Sequence, residues 1–115
     1  MRAHAILLVG LLALVLLIAS CAGGAGQVTV TATEFKFDPS QITVQKGQRV
    51  EVTFQNKGGV THNFTIPDLN VKSKDIAPGQ TDRVEFTPDR SGTFKIVCTI
   101  PGHEEAGMVG QLIVQ

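Results

Sequence analysis

The chain contains no Trp and no Tyr, and its 115 residues include only two Cys, two Met and three His. Without Trp or Tyr, a packed interior has to come from six Phe together with Val, Ile and Leu. Charge of one sign is also missing, since ten Lys and Arg face ten Asp and Glu. That balance gives no sign of the basic face on which nucleic-acid binding depends, so no nucleic-acid partner is expected. Two Cys are too few for a disulfide-stapled miniprotein. There is no internal repeat, no phosphate-binding Gly loop, no supported Ser-His-Asp set and no paired catalytic carboxylates, so an enzyme is not expected. The length leaves room for one domain.

The one long apolar run lies at the start. Arg2 precedes Ala5 to Ala19, fifteen residues with no charge. A membrane-crossing helix needs roughly 20 apolar residues, whereas this length suits a secretory signal. Ile18-Ala19-Ser20-Cys21 follows and resembles the lipobox of bacterial lipoproteins. That resemblance implies cleavage before Cys21 and a lipid on Cys21; the alternative is an uncleaved anchor helix. Either way the domain is tethered to a membrane outside the cytoplasm. Without Arg2, nine basic side chains face ten acidic ones, a net of −1. Ala22 to Gln27 reads as a short flexible linker by composition.

The remainder reads as all-β. Val50, Val52 and Phe54 alternate with polar residues, as do Val84 and Phe86. Val28, Val30 and Ala32 alternate too, and the apolar parity then shifts to Phe35 and Phe37, which predicts a bulge or bend near Glu34. Pro39, Gly47, Gly58-Gly59, Pro67, Pro78-Gly79 and Pro88 to Gly92 punctuate the rest. Short strands between such turns predict a sandwich or barrel. Only Asp68 to Ile76 offers room for a helical turn.

Chemistry concentrates in Cys98-Thr-Ile-Pro-Gly-His103-Glu-Glu-Ala-Gly-Met108. Singly, Cys98 reads as a small core hydrophobe, His103 as a surface residue and Met108 as a gap-filler. Together they place a thiolate, an imidazole and a thioether on one loop, which Pro101, Gly102 and Gly107 allow to fold back on one point. His62 supplies a second imidazole, because His4 lies in the signal. Two His and one Cys in a trigonal set, with a weak axial Met, form the mononuclear copper site used for electron transfer. Cys21 has a lipidation context and Cys98 a ligand context, so no disulfide is expected despite export.

The Cys98-to-Met108 loop resembles that of the cupredoxin, or blue copper, family, and its Cys-x-Ile-Pro-Gly-His opening is most similar to rusticyanin. Val60-Thr-His-Asn-Phe64 is similar to the plastocyanin and azurin segment that carries the first ligand His followed by Asn. The resemblance covers nearly all of residues 28–115 and implies a Greek-key β-sandwich of cupredoxin type, after a signal at 1–20 and a lipidated Cys with linker at 21–27. It implies His62, Cys98 and His103 as equatorial copper ligands, Met108 as the axial one, and Asn63 and Thr99 as the pair tying the two ligand loops together. The chain departs from rusticyanin in its shorter length and in having Asn63, so a very high potential is not implied. It departs from azurin in having Thr61 where that relative has Gly before its first His, so a fifth ligand is not implied.

Val97 and Thr99 flank Cys98, leaving no adjacent His for a second copper centre, and Gly102 stands where a dinuclear site needs its second Cys. A structural zinc site would take Cys and His donors rather than Met. The implied function is single-electron shuttling between redox proteins that dock near His103, expected at the solvent edge beside Pro101, Gly102, Ala106 and Gly107, with Gly58, Gly59 and Val60 completing the patch. The protein is expected to be a monomer. Glu104 and Glu105 are expected to solvate the loop. The alternative function is an extracytoplasmic copper chaperone or scavenger, against which the scarcity of Met and of Cys pairs weighs.

Overall fold

An alternating sequence becomes a two-faced strand wherever one face meets an interior. The computed structural model describes residues 26–115, and among these the strands are β1 (Gly26–Thr33), β2 (Lys36–Asp38), β3 (Gln41–Val44), β4 (Val50–Asn56), β5 (Thr65–Ile66), β6 (Val71–Lys72), β7 (Thr81–Phe86), β8 (Gly92–Val97) and β9 (Val109–Val114). The expected signal segment and Cys21, the expected lipidation site, lie outside the described residues.

One sheet has the order β2-β1-β4-β7 and the other β3-β9-β8-β5-β6. Two neighbouring pairs are parallel, β1 with β4 and β3 with β9; the other pairings are antiparallel. Parallel neighbours cannot be joined by a tight hairpin. Here the chain crosses to the opposite sheet as β3 before returning as β4 beside β1. The result is the expected Greek-key sandwich.

Register follows from burial. Val30 lies opposite Phe54, and Val52 opposite both Val28 and Val84, so their inward positions form one apolar layer. Ile42, Val44, Phe94, Ile96, Leu112 and Val114 provide the facing layer, and both layers belong to one core. A slip of one residue in any of these strands would turn its apolar set to solvent. Phe37, Phe54 and Phe64 meet with ring centroids 5.9–6.2 Å apart. Phe64 lies two residues beyond His62, so this aromatic cluster fixes the segment carrying that imidazole.

Three local expectations need correction. The parity shift near Glu34 is a full chain reversal: Glu34 and Phe35 form a two-residue turn, with Thr33 opposite Lys36. Phe37 points into the core, whereas Phe35 remains 40% exposed. Between Asp68 and Ile76 the chain makes only the last part of one 3-10 turn, Pro67–Leu69, which ends at Asn70 in the left-handed region with φ 54°. Gly26 and Gln27, expected in the linker, already pair with Val50 and Glu51 as part of β1. Backbone hydrogen bonding to β4 outweighs their flexible composition.

Candidate metal centre

His62 lies in a loop with little regular structure, yet its backbone is held at both polar groups. Its N–H donates to Ile76 O at 3.1 Å, and its carbonyl accepts from Ile76 N at 2.9 Å. Asn56 fastens the preceding turn by donating from Nδ2 to Val60 O and Ile76 O while its Oδ1 accepts from Gly58 N. The side chains of Asn56 and His62 are both buried. Neither group could be left unpaired there without a desolvation penalty.

Cys98 comes directly after β8, and the chain from it to Met108 winds through successive turns. His103 N donates to Ile100 O, Ala106 N to Gly102 O, and Gly107 N to Glu104 O. The loop closes where Cys98 N donates to Met108 O at 3.3 Å and Met108 N to His103 O at 3.0 Å. Gly102 and Gly107 take φ values of 85° and 100°, a region in which a side chain would be strained. The turn residues therefore bring the loop back on itself, as their sequence suggested. Cys98 and Met108 are fully buried, and His103 is 9% exposed.

The resulting donor cluster is tight. Cys98 Sγ lies 3.4 Å from His103 Nδ1 and 4.0 Å from His62 Nδ1. One ligand atom from each of the three residues lies within 4.8 Å of the others. Metal bonds of about 2.0 Å to nitrogen and about 2.3 Å to sulfur, opened to about 120°, would set nitrogen and sulfur about 3.7 Å apart. The two observed separations bracket that value. A soft thiolate, two imidazoles and a buried thioether on the same loop fit mononuclear copper.

Protonation is arranged to match. Glu34 Oε1 lies 3.1 Å from His62 Nε2. A carboxylate can only accept, so this contact suits an Nε2–H imidazole, which would leave Nδ1 free to face the cluster. Glu34 is held below the usual carboxylate range, first by the hydrogen bond from Gly59 N and then by that from His62. Burial pushes the His103 imidazole below its ordinary range, which favours the neutral form able to ligate.

Asn63 and Thr99 form the expected tie. Asn63 Nδ2 donates to Thr99 Oγ1 at 2.8 Å, and Thr99 N donates to Asn63 Oδ1 at 3.0 Å. Asn63 N points at Cys98 Sγ from 3.5 Å, a donor suited to an anionic sulfur. Two partners escaped the sequence reading: Asp75 Oδ1 accepts from Asn63 Nδ2, and Thr65 Oγ1 donates to Asn63 Oδ1. Glu34 escaped it as well. Apart from the parity shift, nothing local distinguishes this glutamate, which precedes its imidazole partner by 28 positions.

Around the cluster, Pro101, Gly102, Ala106 and Gly107 are exposed, as are Gly59 and Val60. The expectation of a solvent-edge His103 needs adjustment, because Phe35 packs edge-on against its ring at a centroid distance of 5.0 Å. The outer rim is therefore partly phenyl rather than bare imidazole. Glu104 pairs with Lys95 and Glu105 faces solvent, so neither enters the donor set.

Comparison with known proteins points to the same fold and family. The family described as a cupredoxin-like domain matches residues 5–114. Auracyanin-A of Chloroflexus aurantiacus is 29% identical over 150 aligned residues, covering 90% of this chain and 92% of its own length. The copper-resistant cuproprotein CopI of Rubrivivax gelatinosus is 30% identical over 105 residues, and the match covers 75% of this chain but 64% of that protein. Chloroplastic plastocyanin of Pisum sativum is 32% identical over 91 residues, 68% of this chain and 51% of its own. Among solved structures, dithionite-reduced auracyanin of Roseiflexus castenholzii superposes with a TM-score of 0.72 at 26% identity, over 80% of this chain and 99% of that one.

Proposed function

The chain belongs to the cupredoxin-like family, and from that footing we propose that it is a blue copper electron-transfer protein working outside the cytoplasm on a membrane tether. The observation that carries this reading is the convergence of Cys98 Sγ with Nδ1 of His62 and of His103 in one buried cluster. His62, Cys98 and His103, with the buried Met108 thioether on the same loop, would hold the copper. When bound, copper supplies one-electron exchange between its Cu(I) and Cu(II) states.

The chain's own residues make such exchange fast by refusing to rearrange. His62 is clamped between Ile76 and the aromatic cluster, Cys98 is locked to Met108 through the backbone, and Asn63 with Thr99 ties the loops together. A donor set fixed in this way would need little rearrangement when bound copper gained or lost an electron, and its burial would keep water out. A partner docks on the exposed rim of Phe35, Val60, Pro101 and Ala106, receiving or delivering one electron through the His103 side.

Ile18-Ala19-Ser20-Cys21 supports cleavage and lipidation at Cys21, with residues 1–20 a signal and the short tract after Cys21 a tether to the domain. Among the described residues no helix is long and apolar enough to cross a membrane.

Titration of the purified full-length protein with Cu(II) tests the reading. An intense visible charge-transfer band, reversibly bleached by a mild reductant, is expected at one copper per chain. Tight binding without the band contradicts electron transfer and favours a second reading, a copper chaperone or scavenger. That alternative draws on the likeness to a copper-resistant cuproprotein. Against it, the donors are buried, whereas a delivery site has to release its metal readily.

A further inference from the structure

The hairpin turn between β1 and β2 touches both imidazoles of the centre, although it contributes no ligand. Phe35 packs on His103, and Glu34 reaches His62. A single oxygen of Glu34, Oε1, accepts from Gly59 N at 2.8 Å and from Val60 N at 3.2 Å, and lies 3.1 Å from His62 Nε2. The approach is built into the backbone: a Cβ on Gly58 would run into the Glu34 carboxylate and stand 3.0 Å from His62 Nε2. His62 itself is fully buried, while the Glu34 side chain is 37% exposed. A carboxylate thus sits at the protein's edge with its charge directed at the back of a buried imidazole.

Hydrogen bonds to an ionised acceptor are the stronger kind, and a carboxylate behind a ligating His raises its basicity as well as fixing its orientation. Additional negative charge favours the more highly charged metal state. We propose that Glu34 is a positioning residue of the copper centre, holding His62 as the Nε2–H tautomer and setting a lower reduction potential than a neutral acceptor in its place would allow. This inference rests on the copper reading above.

The proposal separates charge from shape. In Glu34→Gln the amide oxygen still accepts from Gly59 N, Val60 N and His62 Nε2, so the turn and the imidazole keep their places and only the charge is lost. Mutating the hydrogen-bond partner behind a metal ligand typically costs 10- to 100-fold in metal affinity. Taking the lower end as falling selectively on Cu(II), the loss is about tenfold relative to Cu(I), which for a one-electron couple is ~59 mV.

Two measurements on the full-length protein test this. The first is nitrogen NMR of the metal-free wild type, in which His62 is expected as the Nε2–H tautomer; an Nδ1–H tautomer would overturn the proposal whatever copper does. The second compares the reduction potentials of copper-loaded wild type, Glu34→Gln and Glu34→Asp. The Gln variant is expected to rise by the stated amount with its visible band retained, and the Asp variant, which keeps the charge, to return towards wild type. Equal potentials in wild type and the Gln variant, with the band intact in both, would overturn the proposal. Absence of the band from the wild type itself would instead defeat the copper reading, leaving the tautomer to be judged on the metal-free protein.

Discussion

Asn63 and Thr99 exchange two hydrogen bonds across the gap between the ligand loops, side chain to side chain at 2.8 Å and backbone N–H to side-chain oxygen at 3.0 Å. The residue after one ligand is thereby bonded to the residue after another. Neither loop can shift without breaking a bond to the other, so the position of Cys98 Sγ relative to His62 is set by the protein before any metal arrives.

Replacing that asparagine should therefore cost stability even without metal. In Asn63→Ala, Thr99 N, Thr65 Oγ1 and Asp75 lose their shared partner. Thr65 is buried, whereas Thr99 and Asp75 are exposed and can turn to water. The expected destabilisation is therefore ~1 kcal/mol, the lower end for a buried polar group left without a partner. Denaturant unfolding of the metal-free protein reads it, and a change of only a few tenths would show that the tie contributes little. The copper-loaded variant should also show a shifted visible band, because the N–H directed at sulfur belongs to the same residue.

Phe35 should matter more for electron exchange than for folding. Its ring is partly exposed and makes an edge contact to His103 worth about 0.5–1.5 kcal/mol beyond area burial. Phe35→Ala uncovers the imidazole, so exchange with a small hydrophilic redox reagent should accelerate while the thermal midpoint falls by a few degrees. Stopped-flow mixing with such a reagent checks this. An unchanged rate would mean that Phe35 does not screen His103.

Ala106 tests the docking rim separately from the metal. It is exposed on the ligand loop and lies beyond the turn held by its own N–H to Gly102 O. If redox proteins dock as proposed, Ala106→Lys should slow electron transfer to a protein acceptor severalfold and leave the copper spectrum intact. Full-speed transfer in that variant would place docking elsewhere.

Acid sensitivity has a part that is distant from the centre. Glu85 is held below the usual Glu value of 4.5 by its hydrogen bond from Arg49 and then by that guanidinium's charge. With the folded-state value lowered, the unfolded chain binds protons first as the pH falls. The pair's stabilisation is complete above about pH 4.5 and disappears as the pH drops through the folded value. Both side chains are exposed, so the effect is small and screened by salt. At low salt, Glu85→Gln should lower stability above that range and lose less on further acidification. An acid limb identical to wild type would contradict the assignment.

Much of this was legible because the relevant signals are local. Val50, Val52 and Phe54 alternate within one strand, and Cys98, His103 and Met108 lie on one loop whose Pro and Gly residues announce its return. His62 could be found because so few His are present and because Asn63 follows it. What escaped depends on pairing between distant segments. Glu34 and Phe35 form a turn without Gly, Asn or Pro, and their roles arise only when β1 and β2 bring them over the two imidazoles. Asp75 and Asn56 likewise act through the loop around Ile76, which presents no periodic pattern. β5 and β6 contain two residues each, too few for alternation to register.

A crystal structure of the copper-loaded full-length protein addresses the ligand set itself. One ion is expected between Nδ1 of His62, Nδ1 of His103 and Sγ of Cys98, with the Met108 sulfur at longer range and Glu34 still bonded to Nε2. Copper bound through Nε2 of either imidazole, or bound elsewhere with Cys98 left as a free thiol, would contradict it.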